Sequence, residues 1–187
     1  MQQRTMSSVS QRLASECNAP EHVWAGRITA ILCCEAIGII GALTTPTGNS
    51  PWFRTLRKPR YEPPAWVFRP VWTILYALMG LSLHELWRRR DTPQGRSALR
   101  AFGTQLFLNA IWTPVFFGRQ SLSGGFAIIV GLWISLFVTI RRAWKVSEFS
   151  GALLLAYWAW VTFAAVLNGS VLALNPRRDA LLQRLRS

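Results

Sequence analysis

The sequence predicts an all-α membrane protein, a bundle of five transmembrane helices, and three observations lead there. Hydrophobic residues fill 51% of the 187 positions, charged residues only 16%, and mean hydropathy is +0.22; a soluble domain carries about 25% charge. The apolar residues gather into five stretches of roughly 18–25 residues, the length that crosses about 30 Å of hydrocarbon. The charges, 21 Lys and Arg against 8 Asp and Glu for a net +13, fall between those stretches. So apolar a chain is not intrinsically disordered. Charge this scarce and one-signed also excludes an acidic solvated domain.

Residues 1–22 form a polar N-terminal extension with no apolar run, unlike a cleaved secretory signal. Its Ser and Arg suit an organellar presequence, but Glu16 and Glu21 do not. Residues 23–175 form the membrane domain. The first span, 28–45, carries Glu35 near its middle and Cys34, Gly38 and Ala42 at i, i+4, i+8. A Pro-rich loop, 46–65, holds Pro51, Pro59, Pro63 and Pro64, which make it rigid and non-helical, a lid over the bundle. The remaining spans are 66–87, 99–117, 122–140 and 149–174, and a basic tail, 176–187, ends the chain. Ala127, Gly131 and Ser135 repeat the small-residue spacing on the fourth span. Such faces let helices approach closely, within one chain or between two. Glu35 is either a proton or ligand site or a neutralised carboxyl facing another helix.

Arginine clusters beside apolar spans attract the anionic headgroups of a lipid bilayer. A nucleic-acid partner needs a folded basic face or a reading motif, and neither is present. Orientation stays open. Eleven Lys and Arg fall on the N-terminal side and ten on the other, so the positive-inside rule does not choose.

Ten tryptophans divide by position. Trp24, Trp66, Trp87 and Trp144 mark span ends, as an interfacial belt would. Trp72, Trp112, Trp133, Trp158 and Trp160 lie inside, where an indole N–H wants an acceptor. Helical spacing puts Trp72, Tyr76 and Gly80 on one face of the second span. It puts Asn109, Thr113 and Phe116, with Trp112 beside them, on one face of the third. On the fifth it aligns Trp160, Ala164 and Asn168. Converging, these faces would line a flat, aromatic, weakly polar pocket; otherwise they are ordinary packing, with Asn bridging helices.

Conventional catalysis lacks its parts. His22 and His84 sit near span ends, suited to an interface or to ligating haem. Glu35, Glu62, Glu85 and Glu148 fall in separate elements, so no acid/base pair is legible. Cys17, Cys33 and Cys34 form neither a disulfide framework nor a metal motif. No phosphate loop or dinucleotide fingerprint occurs.

Three motifs in order carry a family resemblance over about residues 28–175. Trp52-Phe53, Lys58-Pro59 and Pro63-Pro64 precede VFRPVWTILYALMG; LNAIWTPVFFG and AYWAWVTFAAVLN follow in later spans. The chain resembles the translocator-protein family (TspO, tryptophan-rich sensory protein, peripheral benzodiazepine receptor). That resemblance implies five packed transmembrane helices, often as a homodimer, and a pocket opening toward the first loop. It needs no cofactor; the implied ligand is a porphyrin, protoporphyrin IX or haem, or another apolar small molecule. It places Trp52 and Phe53 in the lid, Trp72 and Tyr76 on the second helix, and Asn109, Trp112, Thr113 and Phe116 on the third. Trp160, Ala164 and Asn168 come from the fifth. The family's usual Tyr after the lid Trp is Phe53 here, and its frequent Trp after Lys-Pro is Tyr61. Gly169 replaces the Tyr of the cholesterol-associated pattern in animal members, which disfavours sterols.

Three functions then compete. A tetrapyrrole-binding sensor or regulator would stack aromatics on the porphyrin disc and meet its propionates with Arg54, Arg57 or Lys58. Light- and oxygen-dependent porphyrin degradation would use the oxidisable indoles of Trp72 and Trp160, at positions the resemblance implicates. Transport of porphyrins or sterol-like amphiphiles would more often show an internal repeat, and none is visible.

Overall fold

The computed structural model describes residues 20–44 and 50–176. The N-terminal extension up to residue 19, the start of the lid loop and tail residues 177–187 lie outside the described residues. The described chain is helical, with α1 at Pro20–Thr44, α2 at Pro51–Arg54, α3 at Ala65–Trp87 and α4 at Pro93–Thr113. A π-helical turn at Pro114–Gly118, then α5 at Leu122–Trp144 and α6 at Glu148–Leu174, complete it.

Start signals are local. Ser50, Thr92, Ser121 and Ser147 each cap a helix, their hydroxyls accepting from the backbone N–H three residues on. Pro51 and Pro93 occupy the first turns of α2 and α4, where a missing N–H costs nothing. The lid loop was expected to be non-helical throughout. Instead its Ser50–Pro51 pair starts a single helical turn, because Pro at that position favours helix entry.

Four described helices are long and apolar enough to span a bilayer: Val23–Gly41 within α1, then α3, α5 and α6. That corrects the expected five. The third stretch does form a long helix, but it starts at Pro93 rather than residue 99. Its first turns therefore include Gln94, Arg96 and Arg100, and Gln105 and Asn109 follow, which lowers its hydropathy. Gln105 and Asn109 are buried inside the bundle rather than facing lipid.

α5 packs on both α4 and α6, α6 on α3, and α3 on α1, while α4 touches α3 and α1 more lightly. Gly26 of α1 meets His84, Ala30 and Ile31 meet Gly80, and Gly38 meets the Tyr76 ring, so α1 and α3 run antiparallel. A β-carbon at Gly80 would overlap the α1 backbone at Ile31. Buried Ser82 and Ser150 join α3 to α6, their hydroxyls 2.7 Å apart.

The expected small-residue face of α1 thus packs within the chain through Gly38. That of α5 does not: a β-carbon at Gly131 would meet nothing within 4 Å, and Ala127 is exposed. The exposed apolar residues include Leu32, Ile40, Ile74, Phe107, Ile134 and Val166, the surface a lipid environment accepts. Trp24, Trp66, Trp87 and Trp144 are all exposed, while Trp72, Trp112, Trp133, Trp158 and Trp160 are half-buried.

Candidate functional site

Two ends of the bundle differ. At one, Arg88–Thr92 and the 145–147 turn connect helices tightly. At the other, the lid segment, the turn after Gly118 and the end of α6 meet.

The lid end is an aromatic layer. Phe116 is buried, and its ring centroid lies 5.9 Å from Trp52, 6.2 Å from Phe53 and 4.9 Å from Phe117. Trp112 stacks on Phe116 at 5.1 Å and 17°. Leu56, Leu122 and Val171 close the layer. Its packing hides polar atoms: the indole nitrogens of Trp52 and Trp112 are buried and have no hydrogen-bond partner among the described residues. Asn168, one turn below Val171, gives its Nδ2–H to Ala164 O at 2.9 Å and leaves Oδ1 buried without a donor. An unpaired buried polar group costs about 1–3 kcal/mol. Two donors and an acceptor are thus unpaired among the described residues. Above them, the Lys58 ammonium stands 3.8 Å over the Phe53 ring and 3.0 Å from Glu62. Arg54 and Arg57 are exposed.

Deeper lies a hydrogen-bonded centre. Tyr76 of α3 donates its hydroxyl to Asn109 Oδ1 of α4 at 3.2 Å, and Asn109 Nδ2 donates to the Tyr157 hydroxyl of α6 at 2.5 Å. All three residues are buried. Trp72 borders them, 5.7 Å from Tyr76 and 6.3 Å from Tyr157. Trp160 lies on the same α3–α6 seam, 5.8 Å from Phe68 and 5.4 Å from Phe163.

The faces read from periodicity therefore separate into three groups rather than one pocket. Trp52, Phe53, Trp112 and Phe116 share the lid layer; Trp72, Tyr76 and Asn109 share the centre; Trp160 belongs to the seam, with Ala164 and Asn168 above it. Thr113 turns to α1, its Oγ1 3.9 Å from where a β-carbon of Gly41 would stand. Beyond Thr113 the helix itself changes, at Pro114. Without an N–H it interrupts the α-helical ladder, and Arg119 N bonds back to Pro114 O at 2.8 Å, a five-residue step. Extrapolating a regular helix from Asn109 to Phe116 crosses that break. Trp133 and Trp158 stand apart, 5.1 Å from each other, with Trp133 Nε1 donating to Thr162 Oγ1 at 2.8 Å.

Sequence reasoning missed Tyr157 and Asn175. Tyr157, Val161, Ala164 and Asn168 follow a 4-3-4 spacing that extends the chosen face by one turn, so the signal for Tyr157 was present. Asn175 sits beyond the last apolar turn and carried none. Of the expected propionate partners, Lys58 is already engaged by Phe53 and Glu62. Among the described residues, no group of three or more His, Cys, Asp or Glu could hold a metal ion. His84 is buried, with Nε2 unpartnered.

Residues 30–174 match the family model described as the TspO/MBR family. A tryptophan-rich protein TspO of Chlorobaculum tepidum is 40% identical over 156 residues, covering 80% of this chain and 97% of that protein. The protein CrtK of Rhodobacter capsulatus is 36% identical over 78% of this chain and 89% of its own length. The translocator protein of Bos taurus is 31% identical over 78% of this chain and 87% of its own. With its apolar spans, aromatic lid end and these similarities, the chain is a multi-pass integral membrane protein that belongs to the TspO/MBR family.

Proposed function

We propose that this protein binds a tetrapyrrole of the protoporphyrin IX type beneath its lid and acts as a sensor or regulator of porphyrin metabolism. One observation carries the reading. The buried indole N–H groups of Trp52 and Trp112 lack partners inside an otherwise aromatic layer, and so does the buried Asn168 Oδ1 one turn below it on α6. A planar apolar ring with carboxylates suits those parts. Aromatic faces take the disc, indole N–H groups donate to an oxygen, and exposed Arg54 and Arg57 meet a carboxylate at the rim. Stacked Trp112 and Phe116 must part to admit it, a side-chain movement of the kind binding commonly induces. Relatives named tryptophan-rich sensory protein and translocator protein are compatible with both a sensing and a carrying role.

The test is a titration of the purified protein with protoporphyrin IX in the dark, followed by Trp fluorescence. Saturable quenching is expected, weakened in Trp112→Phe and in Ala164→Phe. Titrations unchanged in both variants remove the assignment. Illuminating the complex, with and without oxygen, then asks whether Trp72 and Trp160 also support degradation; a Trp72→Phe, Trp160→Phe variant should retain dark binding and lose any turnover.

A further inference from the structure

We propose that Asn175 is the latch that holds the lid shut, and that its release sets how fast a ligand enters and leaves the aromatic layer. The second half of this statement rests on the binding reading above; the first does not. Asn175 Oδ1 accepts from Arg57 N–H at 3.0 Å while its Nδ2 donates to Arg57 O at 2.8 Å, joining positions 118 residues apart. One side-chain amide thus pairs with both polar groups of one residue's backbone, as a neighbouring β-strand would. The second Nδ2 hydrogen serves Val171 O at 2.7 Å, which fixes the amide to α6. Asn175 is 7% exposed, so water competes poorly for either bond.

The clamp sits where it governs the lid. Leu56, the residue before the clamped peptide, is buried against Phe116, Leu122 and Val171, the layer that hides the unpaired indoles. Four residues past Arg57, the Tyr61 hydroxyl meets Ser170 Oγ at 2.6 Å, a second fastening to the same helix. Opening the lid therefore means breaking the paired amide bonds and withdrawing Leu56. Only a carboxamide offers a donor and an acceptor in this geometry. Aspartate would keep the acceptor, lose both donations and set a carboxylate against two carbonyls.

Backbone hydrogen exchange of the full chain in lipid nanodiscs, without ligand, tests the latch for wild type, Asn175→Ala, Asn175→Asp and Tyr61→Phe. Asn175→Ala loses both bonds to Arg57 and Asn175→Asp replaces one of them by repulsion between carboxylate and carbonyl; each should raise exchange across 52–62 roughly tenfold or more, and Tyr61→Phe several-fold. Amides around Ser82 and Ser150 should stay as protected as in wild type, which shows that the variants fold. A residue that only caps α6 would raise exchange at 171–175 alone, and that result overturns the latch. Stopped-flow mixing with protoporphyrin IX tests the gate. Association and dissociation should both accelerate, by similar factors, in Asn175→Ala. A faster-exchanging lid with unchanged porphyrin rates overturns the gating role. Wild type that binds no porphyrin at all defeats the binding reading, while the exchange data still decide the latch.

Discussion

The α1–α3 seam and the lid layer are both close-packed, but by opposite means. Along the seam, glycines bring backbones and rings into contact: Gly26 on His84, Gly80 on Ile31, Gly38 on Tyr76. At Gly80 the partner is the Ile31 backbone itself, which has no rotamer to give way, so that contact is either made or lost. In the lid layer, rings meet rings at 4.9–6.2 Å and two buried indole N–H groups lack partners. Aromatic rings can tilt and slide, and an incoming polar ligand would relieve the unpaired groups. The seam fixes the helices; the lid layer holds unpaired donors among side chains alone.

Breaking the seam should have the largest effect. Gly80→Ala puts a methyl group into the Ile31 backbone and forces α1 away from α3. A loss of about 3 kcal/mol is expected, at the upper end of overpacking costs, read as a lowered unfolding midpoint in detergent. Gly131→Ala is its control, since nothing lies within 4 Å of the new methyl; its midpoint should barely move.

The centre should respond less. Tyr157→Phe leaves Asn109 Nδ2 without its acceptor in a fully buried site, at a cost of about 1–3 kcal/mol. Tyr76→Phe removes the longer, 3.2 Å bond and should cost less. Equal losses from the two would contradict the ordering drawn from their geometry.

The smallest effect belongs to the turn between the π-helical segment and α5. Gln120 has φ 49°, the left-handed region that a non-glycine residue occupies at a cost. Gln120→Gly should stabilise by less than about 1 kcal/mol, because glycine's extra unfolded-state freedom offsets part of the relief. A loss of stability would show that Gln120 contributes contacts of its own.

Much of this contrast was legible in the sequence. Charge confined between apolar stretches identified the membrane class, and the tryptophans separated into exposed ends and half-buried interiors as their positions implied. Periodicity failed at defined places. Counting five equivalent spans overlooked that a helix can sit in the bundle with amides buried at Gln105 and Asn109. Projecting one face from Asn109 to Phe116 crossed the π-helical turn that begins at Pro114. The Asn175 clamp was illegible because it joins an irregular loop to a helix end 118 residues away, where spacing carries no information.

The most direct test of the central claim, that unpaired indoles under the lid receive a polar ligand group, is a dark protoporphyrin IX titration of wild type beside Trp52→Phe, Trp112→Phe and the double variant. Phenylalanine keeps an aromatic face but removes the N–H donor together with the five-membered ring that carries it. The account predicts roughly tenfold weaker binding for each hydrogen bond lost to a charged acceptor, and a larger loss for the double variant. Wild-type affinity in all three variants would contradict it.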